Sequence, residues 1–175
     1  MRVAGSLGRS ELVALLSELG AELDGQGLRG ELLVIGGAAM ALAYDTRRAT
    51  RDVDGVFEPK QRVYAAAEVV ARRHALDDAW LNDAAKALIP PGAEVGARVV
   101  LEVPGLTVSV PAPEKLLALK VASARVDRDA DDIVVLAGLC GLSDPQEILD
   151  LTERMIGSSR PLAPKVQYLI EDLFG

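Results

Sequence analysis

Helical and strand-like spacings of hydrophobic residues alternate over the first 110 residues of the chain. Leucines at helical spacing predict the first helix, which we expect Ser10 to cap. The predicted elements, in order, are a helix at 11–23, strand 31–35, a short helix at 38–44, strand 52–57, helices 62–75 and 78–88, and a hairpin of strands 98–103 and 106–110. This alternation is typical of a domain that packs helices on a sheet.

After Pro111 the spacing of apolar residues becomes helical throughout. Asp144 is expected to cap the third of the helices in this part, with Pro145 at its first position. The predicted helices cover 113–126, 129–139, 145–157 and 162–173. We therefore predict an α+β fold, with a small mixed sheet flanked by helices over 1–111 and a C-terminal helical bundle over 112–175.

The charge and the rare residue types narrow the possible function classes. The chain has 175 residues and a formal net charge of −7, from 26 acidic and 19 basic side chains. This balance argues against a non-specific nucleic-acid binder, which normally carries a basic surplus. The single cysteine, Cys140, excludes an internal disulfide, and the single histidine, His74, argues against a histidine-based zinc site. Any chemistry must therefore depend mostly on carboxylate, lysine and arginine side chains.

Membrane-spanning and secretory features are not expected from the sequence. The longest charge-free stretch near the start, residues 32–44, is too short to span a bilayer. The first residues lack a basic region followed by an apolar run and a cleavage site. We therefore expect a cytoplasmic protein that has no membrane partner.

The most informative segment is VIGGAAMALAYDTRRATRDVDGVF, at positions 34–57. Asp52 and Asp54 are two positions apart on a predicted strand, so both carboxylates should lie on one face. Carboxylates this close repel each other unless a cation neutralises them. Oxygen ligands of this kind suit Mg²⁺, which keeps open positions for substrate phosphates. The spacing therefore indicates a candidate magnesium site.

Gly36 and Gly37 come directly before a predicted helix in the same segment. Glycines at a helix N-terminus let backbone N–H groups approach a phosphate, which the helix dipole favours. Three arginines, Arg47, Arg48 and Arg51, form a basic cluster between the glycines and the acidic pair. Taken singly, each feature is more often a turn, a solvated strand or surface charge, and it is the combination that points to phosphate chemistry.

This segment resembles the nucleotidyltransferase fold of DNA polymerase beta-like enzymes, in which a Gly-Gly or Gly-Ser turn and a short helix precede Asp-x-Asp on the next strand. More narrowly, it resembles the small bacterial nucleotidyltransferases related to the AbiEii and MenT toxins. Their arginine-threonine-aspartate pattern is matched here by Arg48, Thr50, Asp52 and Asp54. The resemblance implies that Gly36, Gly37, Arg48 and Thr50 contact the nucleotide. In one departure, Gly37 stands where serine is commoner.

The segment from 111 to 139 carries a second set of candidate residues. Lys120 stands alone on an otherwise apolar helix, so it must either reach solvent or meet an anion such as a triphosphate. Asp129 and Asp132 are three positions apart and share a helix face. Asp129 could alternatively cap that helix, and Asp131 could be a plain surface residue.

The second segment also resembles the toxin nucleotidyltransferases, which carry a lysine helix followed by Arg-Asp-x-x-Asp, here Arg128, Asp129 and Asp132. The resemblance implies that Lys120 contacts the nucleotide phosphates. It also implies that Asp129 or Asp132 joins the catalytic centre as a base for the incoming hydroxyl. Lys115, in a Glu-Lys-Leu context, is a rival for the role of Lys120. The helical region 112–175 is therefore expected to complete the active site.

A third carboxylate of the polymerase type should lie on a later strand. Glu102 is the candidate, although an outward-facing strand residue is the more economical interpretation.

The resemblance implies a Mg²⁺-dependent nucleotidyltransferase, with one or two ions at Asp52 and Asp54 and a nucleoside triphosphate (NTP) as substrate. By likeness to the MenT toxins, the acceptor would be the 3′ end of tRNA, and a cognate antitoxin protein would restrain the enzyme. Two alternatives stay open. The chain could be a catalytically degenerate antitoxin or binding protein, or a transferase that acts on a protein or small-molecule hydroxyl.

The distribution of charge bears on these partners. Residues 127–175 contain ten acidic and four basic side chains, so most of the negative charge lies in the C-terminal helices. An RNA acceptor could therefore still dock near Arg47, Arg48 and Arg51. The acidic helices could be the face that a basic antitoxin binds.

Overall fold

The fold is described from a computed structural model, which covers residues 5–44, 48–89, 96–157 and 160–175. The chain divides into two compact units, Met1–Pro111 and Ala112–Gly175. Each unit has its own buried apolar residues, and each is described separately below.

The first unit is a five-stranded sheet with helices packed against it. Its helices are α1 (Arg9–Gly25), α2 (Gly36–Ala43) and α3 (Lys60–His74), with a 3₁₀ turn at Ala84–Ala87. Its strands are β1 (Gly30–Ile35), β2 (Val53–Glu58), β3 (Leu81–Asn82), β4 (Arg98–Val103) and β5 (Leu106–Val110). The strand order is β3-β2-β1-β5-β4. Strand β1 runs antiparallel to β2 and parallel to β5, β2 runs parallel to β3, and β4 runs antiparallel to β5. The predicted mixed sheet flanked by helices is confirmed.

Burial in the first unit follows the sequence pattern. The predicted apolar face of α1 is buried, with Leu12, Leu16, Leu19 and Leu23 fully inaccessible to solvent. Trp80 is also buried, and its indole N–H donates a hydrogen bond of 3.0 Å to the carbonyl of Ala67 on α3. A buried indole N–H usually has such a partner, because leaving it without one costs free energy.

A close approach of two backbones fixes α1 against the β4–β5 turn. Gly105 in that turn has a φ of +79°, which favours glycine. A β-carbon at this position would collide with the carbonyl oxygen of Gly20 and the backbone of Asp24, both on α1. Position 105 therefore requires glycine for two reasons: the positive φ, and the lack of space for a β-carbon beside α1.

The second unit consists of α4 (Pro113–Ala122), α5 (Val126–Leu139), α6 (Pro145–Ile156) and α7 (Pro164–Phe174). The predicted C-terminal helices are therefore present. Asp144 caps α6 as expected, because its side chain accepts a hydrogen bond of 3.0 Å from the N–H of Glu147. In the described part of the chain, no helix is both long and apolar enough to cross a membrane.

The structure corrects two local predictions. Ser10 does not cap α1; the N-cap is Gly8, and the Glu11 side chain accepts the hydrogen bond from the Gly8 N–H. The helix predicted at 78–88 is wrong as well, because this segment contains strand β3 and the 3₁₀ turn. The tryptophan carbonyl at position 80 accepts a hydrogen bond from Val53, so pairing with β2 outweighs the local helical tendency.

Candidate active site

Asp54 lies beside the end of β1, where the chain turns into α2. In the antiparallel β1–β2 register Asp54 is opposite Ile35, the residue immediately before Gly36. A β-carbon at Gly36 would lie 3.9 Å from Oδ2 of Asp54. Asp54 is half-buried, and Asp52, one residue before β2, is half-buried too. The sheet thus brings Asp54 next to the first residue of α2.

The beginning of α2 has backbone donors that no side chain caps. Gly36 opens the helix with a φ of +66°, and the N-cap residue, Ile35, has no capping side chain. The first N–H groups of any helix lack partners within the helix, and its dipole favours an anion there. This end of α2 therefore has the donors that a phosphate group needs.

The segment before β2 is held by Thr50. Its backbone forms two hydrogen bonds with Leu7, of 2.6 and 3.0 Å. Its hydroxyl donates a third, of 3.1 Å, to the carbonyl of Asp52. Arg48 is half-buried and Arg51 is exposed, whereas Arg47 lies outside the described residues.

Asn82 is a further candidate for the site, which the sequence pattern did not indicate. Strand β3 runs parallel to β2, and Asn82 is the register partner of Asp54. Its Oδ1 atom accepts a hydrogen bond of 3.2 Å from the N–H of Ala84. Because the sequence pattern predicts a helix for this segment, it gives no reason to expect Asn82 beside Asp54.

Asp83, the next residue, forms a separate charge cluster. Its carboxylate accepts hydrogen bonds from Lys60, at 2.6 Å, and from the Tyr64 hydroxyl, at 2.8 Å, and pairs with Lys86 at 3.2 Å. The bond from Lys60 and then that from Tyr64 hold the pKa of Asp83 well below its usual range. The carboxylate is therefore ionised at neutral pH and committed to these partners.

Glu102, the candidate third carboxylate, lies elsewhere in the sheet. It belongs to the edge strand β4, which is separated from β2 by β1 and β5. Its side chain is exposed and pairs with Arg29 at 2.9 Å. The outward-facing interpretation therefore describes Glu102.

In the second unit, Lys120 is held between two aspartates. Its Nζ atom on α4 lies 2.7 Å from Oδ1 of Asp129 and 2.9 Å from Oδ2 of Asp132, both on α5. The three side chains are largely buried, Asp132 most of all with 3% of its side chain exposed. The structure thus brings together Lys120 and both candidate aspartates.

The pKa of the Asp129 carboxyl group is lower than its usual value. Burial alone would raise the pKa of this carboxyl, but the hydrogen bonds from Lys120 and from the backbone N–H of Arg125 outweigh burial and lower it. Since Arg125 is the N-cap of α5, Asp129 also satisfies a backbone donor at the start of that helix. A carboxylate with a lowered pKa is a good charge partner and a weaker base.

Lys115, the rival lysine, has a different environment. Only 7% of this residue is exposed, and its Nζ atom donates a hydrogen bond of 2.9 Å to the carbonyl of Met155 in the last turn of α6. A cation at a helix C-terminus interacts favourably with the dipole and with carbonyls that lack partners. This contact links α4 to α6 and gives Lys115 a structural role.

The donor atoms near Asp54 fit a hard cation better than a soft one. The strand register places the carboxylate of Asp54 beside the amide-bearing Asn82 on the neighbouring strand, and Asp52 lies two positions before Asp54 in the chain. Within the described ranges, no group of three or more His, Cys, Asp or Glu side chains could hold a metal ion. An ion at this acidic pair would have to keep water or phosphate oxygens as further ligands, as Mg²⁺ commonly does.

The family comparison agrees with this arrangement. A family described as "Nucleotidyltransferase of unknown function (DUF6036)" matches residues 10–153. The chain belongs to this nucleotidyltransferase family. Membership supports the general activity of the class, which is the transfer of a nucleoside monophosphate from a triphosphate to an acceptor.

One solved structure shares the fold of this nucleotidyltransferase. It is described as an antigenic nucleotidyltransferase-like protein from Paracoccidioides brasiliensis, and the two chains are 17% identical. The match covers 95% of this chain and 94% of the other, with a TM-score of 0.50. None of the curated protein sequences is similar enough to count as a relative.

Proposed function

We propose that the protein is a Mg²⁺-dependent nucleotidyltransferase that moves a nucleoside monophosphate from an NTP to an acceptor hydroxyl. The observation that carries the proposal is the position of Asp54, beside Ile35 and next to the uncapped start of α2. Oxygen ligands for a cation and N–H donors for a phosphate adjoin each other within one compact unit. A metal–triphosphate complex needs both.

In this reaction, residues of the first unit would bind the metal ion and the nucleotide. Asp52 and Asp54 hold Mg²⁺, which when bound neutralises charge on the phosphoryl oxygens. The N–H groups that begin at Gly36 and Gly37 receive phosphate oxygens of the NTP. In the reaction the acceptor oxygen bonds to the α-phosphorus, the bond from that phosphorus to the bridging oxygen breaks, and pyrophosphate leaves.

The proposed helper residues come from the second unit. Lys120 offsets phosphate charge, and the acceptor hydroxyl passes its proton to Asp129 or Asp132. Lys120 is preferred over Lys115 because its Nζ atom lies beside both candidate aspartates, whereas that of Lys115 is bonded to a backbone carbonyl at the end of α6.

The finer part of the proposal concerns the acceptor and the biological role. We propose that the acceptor is the 3′ end of tRNA. We also propose that the protein is a toxin, which a cognate antitoxin protein restrains. The support is the resemblance of residues 34–57 and 128–132 to the AbiEii- and MenT-related toxins. The acidic surplus after residue 127 suits a basic antitoxin.

The test is transfer of label from each of the four α-labelled NTPs to total tRNA, with Mg²⁺ and with EDTA. Asp54→Asn should abolish the transfer without lowering stability. Glu58→Gln changes an exposed carboxylate on the same strand and should behave as wild type. Label that appears only on protein or a small molecule would reject the tRNA acceptor. No label with any triphosphate would favour the non-catalytic alternative.

A further inference from the structure

The space beside Gly37 is already filled by Thr50. A β-carbon at position 37 would lie 3.0 Å from Oγ1 of Thr50 and 3.3 Å from its β-carbon. Both distances are shorter than ordinary van der Waals contact. A serine at position 37, the commoner residue in the resembling enzymes, therefore cannot share this place with Thr50 unless one of the two moves.

Thr50 is poorly able to move aside. Two backbone hydrogen bonds join it to Leu7, and its hydroxyl donates to the carbonyl of Asp52. Its β-branched side chain also has a restricted χ1 angle. Thr50 therefore forms a fixed link among three segments: the residue at position 7 before α1, the start of α2 at Gly37, and the acidic segment that leads into β2.

We propose that Thr50 is a positioning residue that sets the spacing between the start of α2 and the Asp52–Asp54 pair. Its hydroxyl, bonded to the carbonyl of Asp52, lies in the space that a side chain at position 37 would need. Gly37 is then half of a matched pair, in which one position carries the hydroxyl and the other must be glycine. The kinetic part of this proposal rests on the proposed nucleotidyl transfer, whereas the steric part does not.

The steric part is tested by a double-mutant cycle on stability. Gly37→Ser, Thr50→Gly and the double variant are compared with wild type by urea unfolding. Gly37→Ser should lower the unfolding midpoint in the wild-type background and have little effect when Thr50 is already glycine. Purely additive effects would show that the two positions do not compete for space, and the proposal would be overturned.

The kinetic part is tested with two variants at position 50. Thr50→Val keeps the shape and removes the hydroxyl, so kcat should fall about ten-fold, as for the loss of one neutral hydrogen bond, while the KM for the NTP changes little. Thr50→Ser restores the hydroxyl and should recover most of that turnover. Equal losses in both variants, or none in Thr50→Val, would reject the positioning role. Inactive wild-type protein would instead reject the proposed function, and the stability cycle would still decide the steric part.

Discussion

The Nζ atom of Lys120 lies 2.7 Å from Oδ1 of Asp129, and this contact joins α4 to α5. The same ammonium group reaches Asp132, which is buried. Removing the cation would leave two carboxylates close together with little water. Such an arrangement is costly, because a buried charge without its partner destabilises a fold by several kcal/mol.

We therefore predict that Lys120→Met lowers the unfolding free energy by about 3 kcal/mol. Urea unfolding at pH 7 measures this loss. Asp131→Asn, which changes an exposed carboxylate on α5 between Asp129 and Asp132, is the control and should change stability by less than about 0.5 kcal/mol. Wild-type stability in Lys120→Met would show that the ion pairs contribute little.

Lys115→Met should have a different effect from Lys120→Met. The methionine fills similar space and loses one hydrogen bond to the Met155 carbonyl, so we expect a loss of about 1 kcal/mol. If Lys120 alone contacts the phosphates, the KM for the NTP should rise in Lys120→Met and stay unchanged in Lys115→Met. Steady-state kinetics with varied NTP distinguishes them, and a raised KM in Lys115→Met would transfer the phosphate role to that residue.

Asp83 should make stability depend on pH. Its pKa is lower in the folded protein than in the unfolded chain, so its ion pairs stabilise the fold above the unfolded value and are lost as the pH falls towards the folded value. The difference in unfolding free energy between wild type and Asp83→Asn should therefore be largest above about pH 5 and shrink below about pH 4. Urea unfolding from pH 3 to pH 7 measures it, and a difference that does not vary with pH would contradict the assignment.

Two glycine-to-alanine substitutions should change the free energy of unfolding in opposite directions. Gly105→Ala forces a positive φ on alanine and a collision with α1, so we expect a loss of at least about 2 kcal/mol. A β-carbon at Gly138, on α5, would meet no described atom outside its own helix turn within 4 Å, so Gly138→Ala should stabilise by about 0.5 kcal/mol. Thermal unfolding of both variants checks the pair, and destabilisation by Gly138→Ala would mean that this helix face is covered.

Elements with a clear period could be predicted from the sequence. The hairpin strands at 98–103 and 106–110 have the predicted bounds, and α1 differs from its prediction by two residues at each end. The part of the candidate site at Gly36 and Asp54 could also be predicted from the sequence, since both residues belong to one short, recognisable segment. Their adjacency follows from the β1–β2 pairing.

Features that depend on distant partners could not be predicted. The strand at Leu81–Asn82 is only two residues long and exists because β2 offers it hydrogen bonds. The spacing of residues could not show which of Lys115 and Lys120 lies beside the candidate aspartates, because both are on one apolar helix. The difference is that Lys115 contacts α6 and Lys120 contacts α5. The close approach of Gly37 to Thr50 likewise involves residues 13 positions apart in the chain. Only the folded backbone shows that a side chain at position 37 would collide with Thr50.

The pairing of Leu7 with Thr50 has a practical consequence for handling the protein. The two backbone hydrogen bonds make residue 7 part of the support for the acidic segment, although it lies far from that segment in sequence. A shortened form that begins at Arg9 would keep all of α1 yet lose this support. Affinity tags and deletions are therefore better kept away from residue 7, and apparent inactivity in a form altered before α1 would say little about the candidate catalytic residues.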